Sequence, residues 1–245
     1  TSPSDFMVMR YNSNGVLDNS FGTNGIATTD VNSNVIAQAY SVLIQSDGKI
    51  LLGGWADNGT ANYDFCVVRY NTDGSIDNTY GNGGIALIDV NNNSTDYGRS
   101  MILLPNDKLV LAGYAHKSGA DFALITLLSD GTLDTSFGIN GKVFTDIGGS
   151  WDKAYSVVLT ANNKIVLGGY SNVNGDDEFT TVRYLTDLII GIIDLSLENN
   201  SLMIFPNPIS NSATLEYELN NKETLSMDLI DIRGNSNKVG KPTKK

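Results

Sequence analysis

The chain has 245 residues, 41% of them hydrophobic and 18% charged, and a formal net charge of −11 at pH 7. This length and apolar content suit a folded core, and the acidic balance argues against a nucleic-acid partner, because phosphate binding needs clustered Lys and Arg. The longest apolar run, residues 188–193, is too short to cross a bilayer, so no transmembrane segment is expected. A single cysteine, Cys66, excludes an intrachain disulfide and is predicted to be a buried, inert thiol.

Four short segments share one pattern, in which an acidic residue and Phe open an apolar stretch. They span residues 5–11, 64–70, 121–127 and 178–184. Their starts are 59, 57 and 57 residues apart, a regularity that indicates tandem copies of one supersecondary unit. Each segment is predicted to be the opening β-strand of its copy.

A tight turn follows each of the first three opening strands, marked by an Asn-Gly or Asp-Gly pair that suits left-handed backbone angles. In the first copy the pair is Asn14-Gly15, and the apolar Leu17 and aromatic Phe21 after it are predicted to anchor the loop on the core. Second strands are predicted at residues 25–30, 84–89 and 141–146.

A hairpin completes each copy, as at residues 39–45 and 49–55 in the first. Its strands are apolar at nearly every position, which predicts burial on both faces. The second hairpin strand ends in a small pair before an aromatic residue, as in Gly53-Gly54-Trp55, and the small pair leaves room for a neighbouring sheet.

Four short strands per copy predict an all-β fold, a β-propeller-type repeat array, with an open β-solenoid as the alternative. Three hairpins and four opening strands make about 3.5 four-stranded blades, whereas closed propellers have about four to eight. We therefore expect an incomplete ring with exposed apolar faces on its first and last blades.

The repeat pattern Asp-Phe-x-x-x-Arg-Tyr-Asn-x-Asp-Gly, with its hairpin, resembles the delta-60 repeat, a β-propeller family of unknown function. The resemblance covers roughly residues 5–184. Repeats are predicted over residues 1–187, in copies starting near residues 5, 64, 121 and 178, followed by a linker at 188–200. The third copy departs from the pattern at Thr126, where Arg is expected.

Residues 201–235 resemble part of the C-terminal sorting domain of type IX secretion substrates, with alternating strand patterns on both sides of a Pro206-Asn207-Pro208 corner. They are predicted to form a partial β-sandwich tail. The resemblance implies the type IX secretion machinery as a partner, and a secreted or outer-membrane cell-surface location in a Gram-negative bacterium. Residues 236–245 are polar and basic and are predicted to be disordered.

Catalytic constellations are scarce in this sequence. The single histidine, His116, is predicted to face solvent at a strand end, and it forms no supported nucleophile–base pair with Cys66. No P-loop, GxGxxG, HExxH or GxSxG pattern is present, so no catalytic or cofactor-binding residue is predicted.

The best metal candidate is a calcium site at Asn71, Asp73 and Asp77, because Asn-x-Asp-Gly-x-x-Asp resembles the first half of a calcium loop. The later Glu of such a loop is missing. The favoured alternative is structural: Asp77 and its equivalents Asp18 and Asp134 accept hydrogen bonds within their own turns. No other cofactor is expected.

Arg10, Arg69 and Arg183 recur at one strand position. They are predicted either to pair with a carboxylate such as Asp77 or to line a shared ligand surface, and ion pairing is favoured.

The leading functional hypothesis is a non-enzymatic, secreted or cell-surface propeller that serves as a scaffold for binding glycan or protein. The alternative is a fragment of a propeller enzyme acting on polysaccharide, with its active site in missing blades.

Overall fold

The computed structural model describes residues 4–184 except 34, 93, 106, 117–118, 149–150, 162 and 174, and the short segments 202–205, 214–217, 228–230 and 236–238. Contacts divide the chain into two units, Thr1–Val182 and Arg183–Lys245. The described residues form strands and turns and no helix, which confirms the all-β prediction. It follows that none of these residues lies in a helix long and apolar enough to span a membrane.

The repeat region forms four antiparallel sheets of two to four strands, and these sheets do not close on one another. The first sheet pairs β1 (Phe6–Met9) with β2 (Ile26–Thr29). The second contains β3 (Ala37–Ile44), β4 (Ile50–Asp57), β5 (Tyr63–Tyr70) and β6 (Ile85–Ile88). The third contains β7 (Asp96–Leu103), β8 (Leu109–His116), β9 (Ala120–Leu127) and β10 (Lys142–Thr145). The fourth contains β11 (Asp152–Leu159), β12 (Ile165–Val173) and β13 (Asp176–Tyr184).

Each four-stranded sheet combines strands from two sequence copies. In the second sheet, the hairpin β3–β4 belongs to the first copy, whereas β5 and β6 are the opening and second strands of the next copy. The connection between β4 and β5 is short, and the two strands pair over eight residues, from Ile50↔Tyr70 to Asp57↔Tyr63. Each copy therefore contributes its opening and second strands to one sheet and its hairpin to the next, so that the chain itself links successive sheets.

Burial differs between the strands of each sheet. β4 and β8 are buried at nearly every position, as predicted for hairpin strands covered on both faces, and the opening strands β5 and β9 are buried to the same extent. The prediction is wrong for the first hairpin strand, because every residue of β3 after Ala37 is exposed or half-buried, and β11 is also partly exposed. These first strands pair on one edge only.

Apolar cores lie between successive sheets. One core joins the first and second sheets through Phe6, Phe21 and Val68, and the second joins the second and third sheets through Phe65 and Leu111. Phe21 is fully buried, which confirms that the aromatic after the turn anchors the loop.

The outer face of β3 has no such cover. Val42 and Ile44 are 55% and 68% exposed, although Met101, at the position of Val42 in the next copy, is only 4% exposed. Met101 packs against Gly53 of the preceding sheet, where an added Cβ would overlap its side chain. This close approach confirms the predicted role of the small residue. The face of β7 that carries Met101 is covered by the preceding sheet, whereas the equivalent face of β3 is exposed.

The second unit contains two short antiparallel pairs. β14 (Leu202–Phe205) pairs with β15 (Thr214–Tyr217), and β16 (Asp228–Ile230) pairs with β17 (Ser236–Lys238). The predicted linker at 188–200 and the corner at 206–208 lie outside the described residues. β17 occupies the first three positions of the segment predicted to be disordered, and residues 239–245 are not described.

Candidate functional site

A β-bulge interrupts the first strand of each of three sheets at the same repeat position. The pairing register shifts within β3, β7 and β11, each time by one unpaired residue. The unpaired residues are Tyr40 in β3, Arg99 in β7 and Tyr155 in β11. A bulge redirects the side chain it carries, so the repeat places three large, redirected side chains at equivalent positions of three sheets.

A glycine on the neighbouring strand makes each bulge possible. An added Cβ on Gly54, Gly113 or Gly169 would overlap a backbone carbonyl oxygen of Gln38, Tyr97 or Lys153 respectively. The second member of the small pair therefore admits the bulged strand, whereas the first member admits the neighbouring sheet. The sequence predicted the room for a neighbouring sheet, but it did not predict the space for a bulged strand.

Eight rings form a continuous chain of contacts around these bulges. Successive ring centroids are 4.5–6.1 Å apart, the range of favourable tilted and edge-to-face pairs. The rings are those of Trp55, Tyr63, Tyr97, Tyr114, His116, Trp151, Tyr155 and Tyr170. Together with Tyr40, Arg99 and Lys153, they are called the aromatic surface below.

Arg99 is the central cation of the aromatic surface. Its guanidinium carbon lies 4.4 Å from the ring centroid of Tyr40 and 5.4–5.6 Å from those of Tyr97, Tyr114 and Tyr155. Its Nη2 donates to Tyr114 Oη at 2.9 Å, and its buried Nε has no partner among the described residues. Burial disfavours the charged guanidinium, but the contacts with Tyr114 and Tyr40 outweigh it and raise the pKa of Arg99, which stays cationic.

Solvent reaches part of this surface. Tyr40, Tyr155 and Trp151 are 47%, 46% and 44% exposed. The Nζ of Lys153 lies 4.8 Å from the ring centroid of Trp151, so a second cation borders the exposed rings. Half-exposed rings with nearby cations can stack on a ligand and donate hydrogen bonds to it.

His116 belongs to this surface, contrary to the prediction of a solvent-facing role. It is half-buried at the end of β8, and its ring contacts Tyr97, Tyr114 and Trp151 at centroid distances of 5.5–6.0 Å. Burial and the charge of Lys153 lower the pKa of His116, so the imidazole is neutral at pH 7.

The three residues of the predicted calcium site make hydrogen bonds within their turn. Asp73 Oδ1 accepts from the backbone N of Ser75 at 2.9 Å, and Asn71 Nδ2 donates to Ser75 Oγ at 3.0 Å. Asp77 Oδ1 accepts from the backbone N of Thr79 at 3.0 Å. These contacts confirm the structural role proposed for the turn, and calcium binding there stays a prediction.

Arg10 and Arg69 form the predicted ion pairs. Arg69 Nε lies 2.7 Å from Asp77 Oδ2, and its Nη1 donates to the carbonyl oxygen of Ser129 in the next copy at 2.5 Å. Arg10 likewise pairs with Asp18 at 2.8 Å and donates to the next turn. These arginines fasten successive repeats together, and this contact between copies could not be read from one strand.

Two copies differ in this fastening. In the third copy, Thr126 stands in place of the arginine, and Lys108 Nζ lies 2.6 Å from Asp134 Oδ2, as Lys49 Nζ lies 2.9 Å from Asp77 Oδ2 in the copy before. Arg183 is exposed near the end of β13, and the turn that would follow it lies outside the described residues.

The family model described as "Domain of unknown function (DUF5122) beta-propeller" matches residues 1–21, 45–80, 104–137 and 160–188. This chain is a β-propeller repeat protein. Each matched segment of the propeller contains one of the four opening strands inferred from the spacing. Among curated proteins, the comparison found no match. The sorting-domain resemblance of residues 201–235 stays a prediction.

The propeller also brings aspartates together that sequence reasoning missed. In the part of the chain that the structure describes, two groups of aspartates have carboxylate oxygens within 4.8 Å of one another. One comprises Asp64, Asp89 and Asp96, and the other Asp121, Asp146 and Asp152. The second group follows the first by 57, 57 and 56 residues, so the repeat period was the available signal.

Proposed function

We propose that this propeller is a non-enzymatic, secreted or cell-surface scaffold that binds a glycan through its aromatic surface. The observation that supports the proposal most is the recurrent bulge, which sets Tyr40, Arg99 and Tyr155 at equivalent positions of three sheets. A bulge and its matching glycine constrain the backbone, and bulges are common next to functional sites.

The chemistry of the surface favours a sugar ligand. Exposed tyrosine and tryptophan faces stack on the C–H faces of sugar rings, and phenol, guanidinium and ammonium groups donate hydrogen bonds to hydroxyls. Arg99 and Lys153 add local positive charge to a chain of net charge −11, which suits hydroxyl-rich or anionic sugars. A protein ligand is the other occupant that an aromatic surface of this kind can accept.

Secretion rests on the resemblance of residues 201–235 to a type IX sorting domain. In a bacterium with that machinery, the full chain is expected at the cell surface or in the medium, and a chain ending at residue 200 is expected to stay in the cell. Equal export of both chains would contradict this part of the proposal.

The binding proposal is tested with a glycan array and a polysaccharide panel. Arg99→Ala and Tyr155→Ala are expected to weaken binding of any retained glycan about tenfold or more, equivalent to about 1.4 kcal/mol. Tyr11→Ala is the matched control, because Tyr11 is 56% exposed and lies outside the aromatic surface. Equal losses in all three variants would refute the assignment of the site.

The same panel tests the alternative enzyme function. Release of reducing ends from any polysaccharide would contradict the scaffold and support a propeller enzyme acting on polysaccharide. Binding without turnover supports the scaffold.

A further inference from the structure

The first aspartate group lies at the junction of two successive sheets. Asp64 is the second residue of β5, Asp89 directly follows β6, and Asp96 begins β7 of the next sheet. The pairing Phe65↔Ile88 places Asp64 and Asp89 beside each other on neighbouring strands. The strands therefore bring one carboxylate from each of three elements to one point.

Two of these carboxylates are buried without a compensating charge. Asp64 and Asp96 are 4% and 0% exposed, and in the described part of the chain neither forms an ion pair. Lys142 Nζ donates to the backbone carbonyl oxygen of Asp89 at 2.6 Å. Buried carboxylates this close together require protons or a cation to offset their mutual repulsion.

Only one of the two carboxylate oxygens of Asp64 has a hydrogen-bond partner among the described residues. Asp64 Oδ2 accepts from Asn58 Nδ2 at 3.1 Å, whereas Asp64 Oδ1 is buried and has no hydrogen-bond partner among the described residues. An unpartnered carboxylate oxygen inside a crowded acidic group is the condition that a bound cation relieves.

Asp96 is positioned by the loop that precedes it. Its Oδ2 accepts from the backbone N of Val90 and Asn91 at 2.9 and 3.1 Å, and its Oδ1 accepts from Ser94 Oγ at 2.8 Å. These bonds fix the carboxylate before any ion arrives. A fixed ligand loses little conformational entropy on binding.

The arrangement recurs one repeat later. Asp152 Oδ2 accepts from the backbone N of Ile147 at 2.7 Å, as Asp96 does from Val90, and Asp152 is fully buried. In the first copy Ala37 occupies the position of Asp96, so that copy lacks the third carboxylate. The number of aspartates in the group therefore differs between copies, and the repeat can form its strands without the third aspartate.

We propose that Asp64, Asp89 and Asp96 bind one Ca²⁺ ion, and that Asp121, Asp146 and Asp152 bind a second. Oxygens that share one Ca²⁺ at 2.3–2.6 Å lie at most about 5 Å apart, which fits the observed spacing within 4.8 Å. Each ion joins two successive sheets of the propeller. This site is separate from the turn at Asn71, Asp73 and Asp77, and from the aromatic surface that the proposed function uses.

The test uses the full chain, stripped with EDTA and dialysed, in isothermal titration calorimetry with CaCl₂ and with MgCl₂. Two calcium ions per chain are expected, with a rise in Tm of about 5 °C or more at saturation. The double variant Asp64→Asn/Asp121→Asn is expected to abolish both the calcium binding and the rise in Tm. It should fold because it removes one negative charge from each group. Asp73→Asn is the control and keeps both responses.

Terbium luminescence gives a readout that does not depend on stability, because bound Tb³⁺ is excited by nearby tyrosine and tryptophan. The full chain and Asp73→Asn should give a signal that calcium competes away, and Asp64→Asn/Asp121→Asn should not. No heat and no luminescence with the full chain would overturn the proposal. So would responses that survive Asp64→Asn/Asp121→Asn, or magnesium binding as tight as calcium binding.

Discussion

The two arginine–aspartate pairs that fasten the repeats differ in burial, and this difference predicts different stabilities. The side chains of Arg69 and Asp77 are 6% and 5% exposed, whereas those of Arg10 and Asp18 are 35% and 22% exposed. Asp77→Ala leaves a buried guanidinium without its carboxylate, and it also removes the partner of Lys49, 2.9 Å away. Removing one member of a buried pair costs about 3–5 kcal/mol.

Asp18→Ala is the matched control, because it breaks the same motif one repeat earlier, where water screens the charges. An exposed pair of this kind contributes about 0–1 kcal/mol. Urea unfolding of the full chain measures both changes as shifts of the transition midpoint at constant slope. Equal destabilisation by the two variants would refute the argument from burial. In Arg69→Met/Asp77→Ala, removal of the unpaired charge should restore part of the stability lost in Asp77→Ala.

Three further predictions concern pH, a bulge and an exposed face. Burial opposes ionisation of Asp77, but hydrogen bonds from Thr79 and Lys49 outweigh it and lower its pKa, so its contribution is present above about pH 4 and disappears as pH falls further. The difference in free energy of unfolding between the unsubstituted chain and Asp77→Asn should therefore decrease as the pH falls from 6 to 3. Gly169→Ala overlaps a backbone carbonyl and should lower Tm by several degrees, whereas the neighbouring Gly168→Ala meets nothing within 4 Å and should leave Tm almost unchanged. The exposed Val42 and Ile44 predict self-association at high concentration, and light scattering that finds only monomer would contradict it.

The sequence was informative wherever structure is local. The 57–59-residue spacing, the Asx-Gly turns and the apolar runs placed the strands of the repeat region, and the repeated Arg and Asp positions suggested their pairing. The offset between sequence copy and sheet was not visible, because it depends on which hairpin the opening strand pairs with. That choice is made by the short connection between β4 and β5.

The aromatic surface was harder to predict for the same reason. Nothing in the letters Ala39-Tyr40-Ser41 marks a bulge, since a register shift belongs to two strands and not to one. His116 illustrates the consequence: its strand-end position was predicted, but its ring contacts come from β7 and from Trp151. The aspartate groups were missed because the third carboxylate of each group comes from the next sheet.

The chain's two tryptophans, Trp55 and Trp151, both lie in the aromatic surface, so intrinsic fluorescence reports on the proposed binding site without any label. The most direct test is a titration of the full chain with the glycan retained on the array, followed by tryptophan emission. A saturable change in emission, with the affinity measured by calorimetry and lost in Arg99→Ala, is the expected result. Glycan binding that leaves the tryptophan emission unchanged would contradict the account, because the ligand would then lie elsewhere on the propeller.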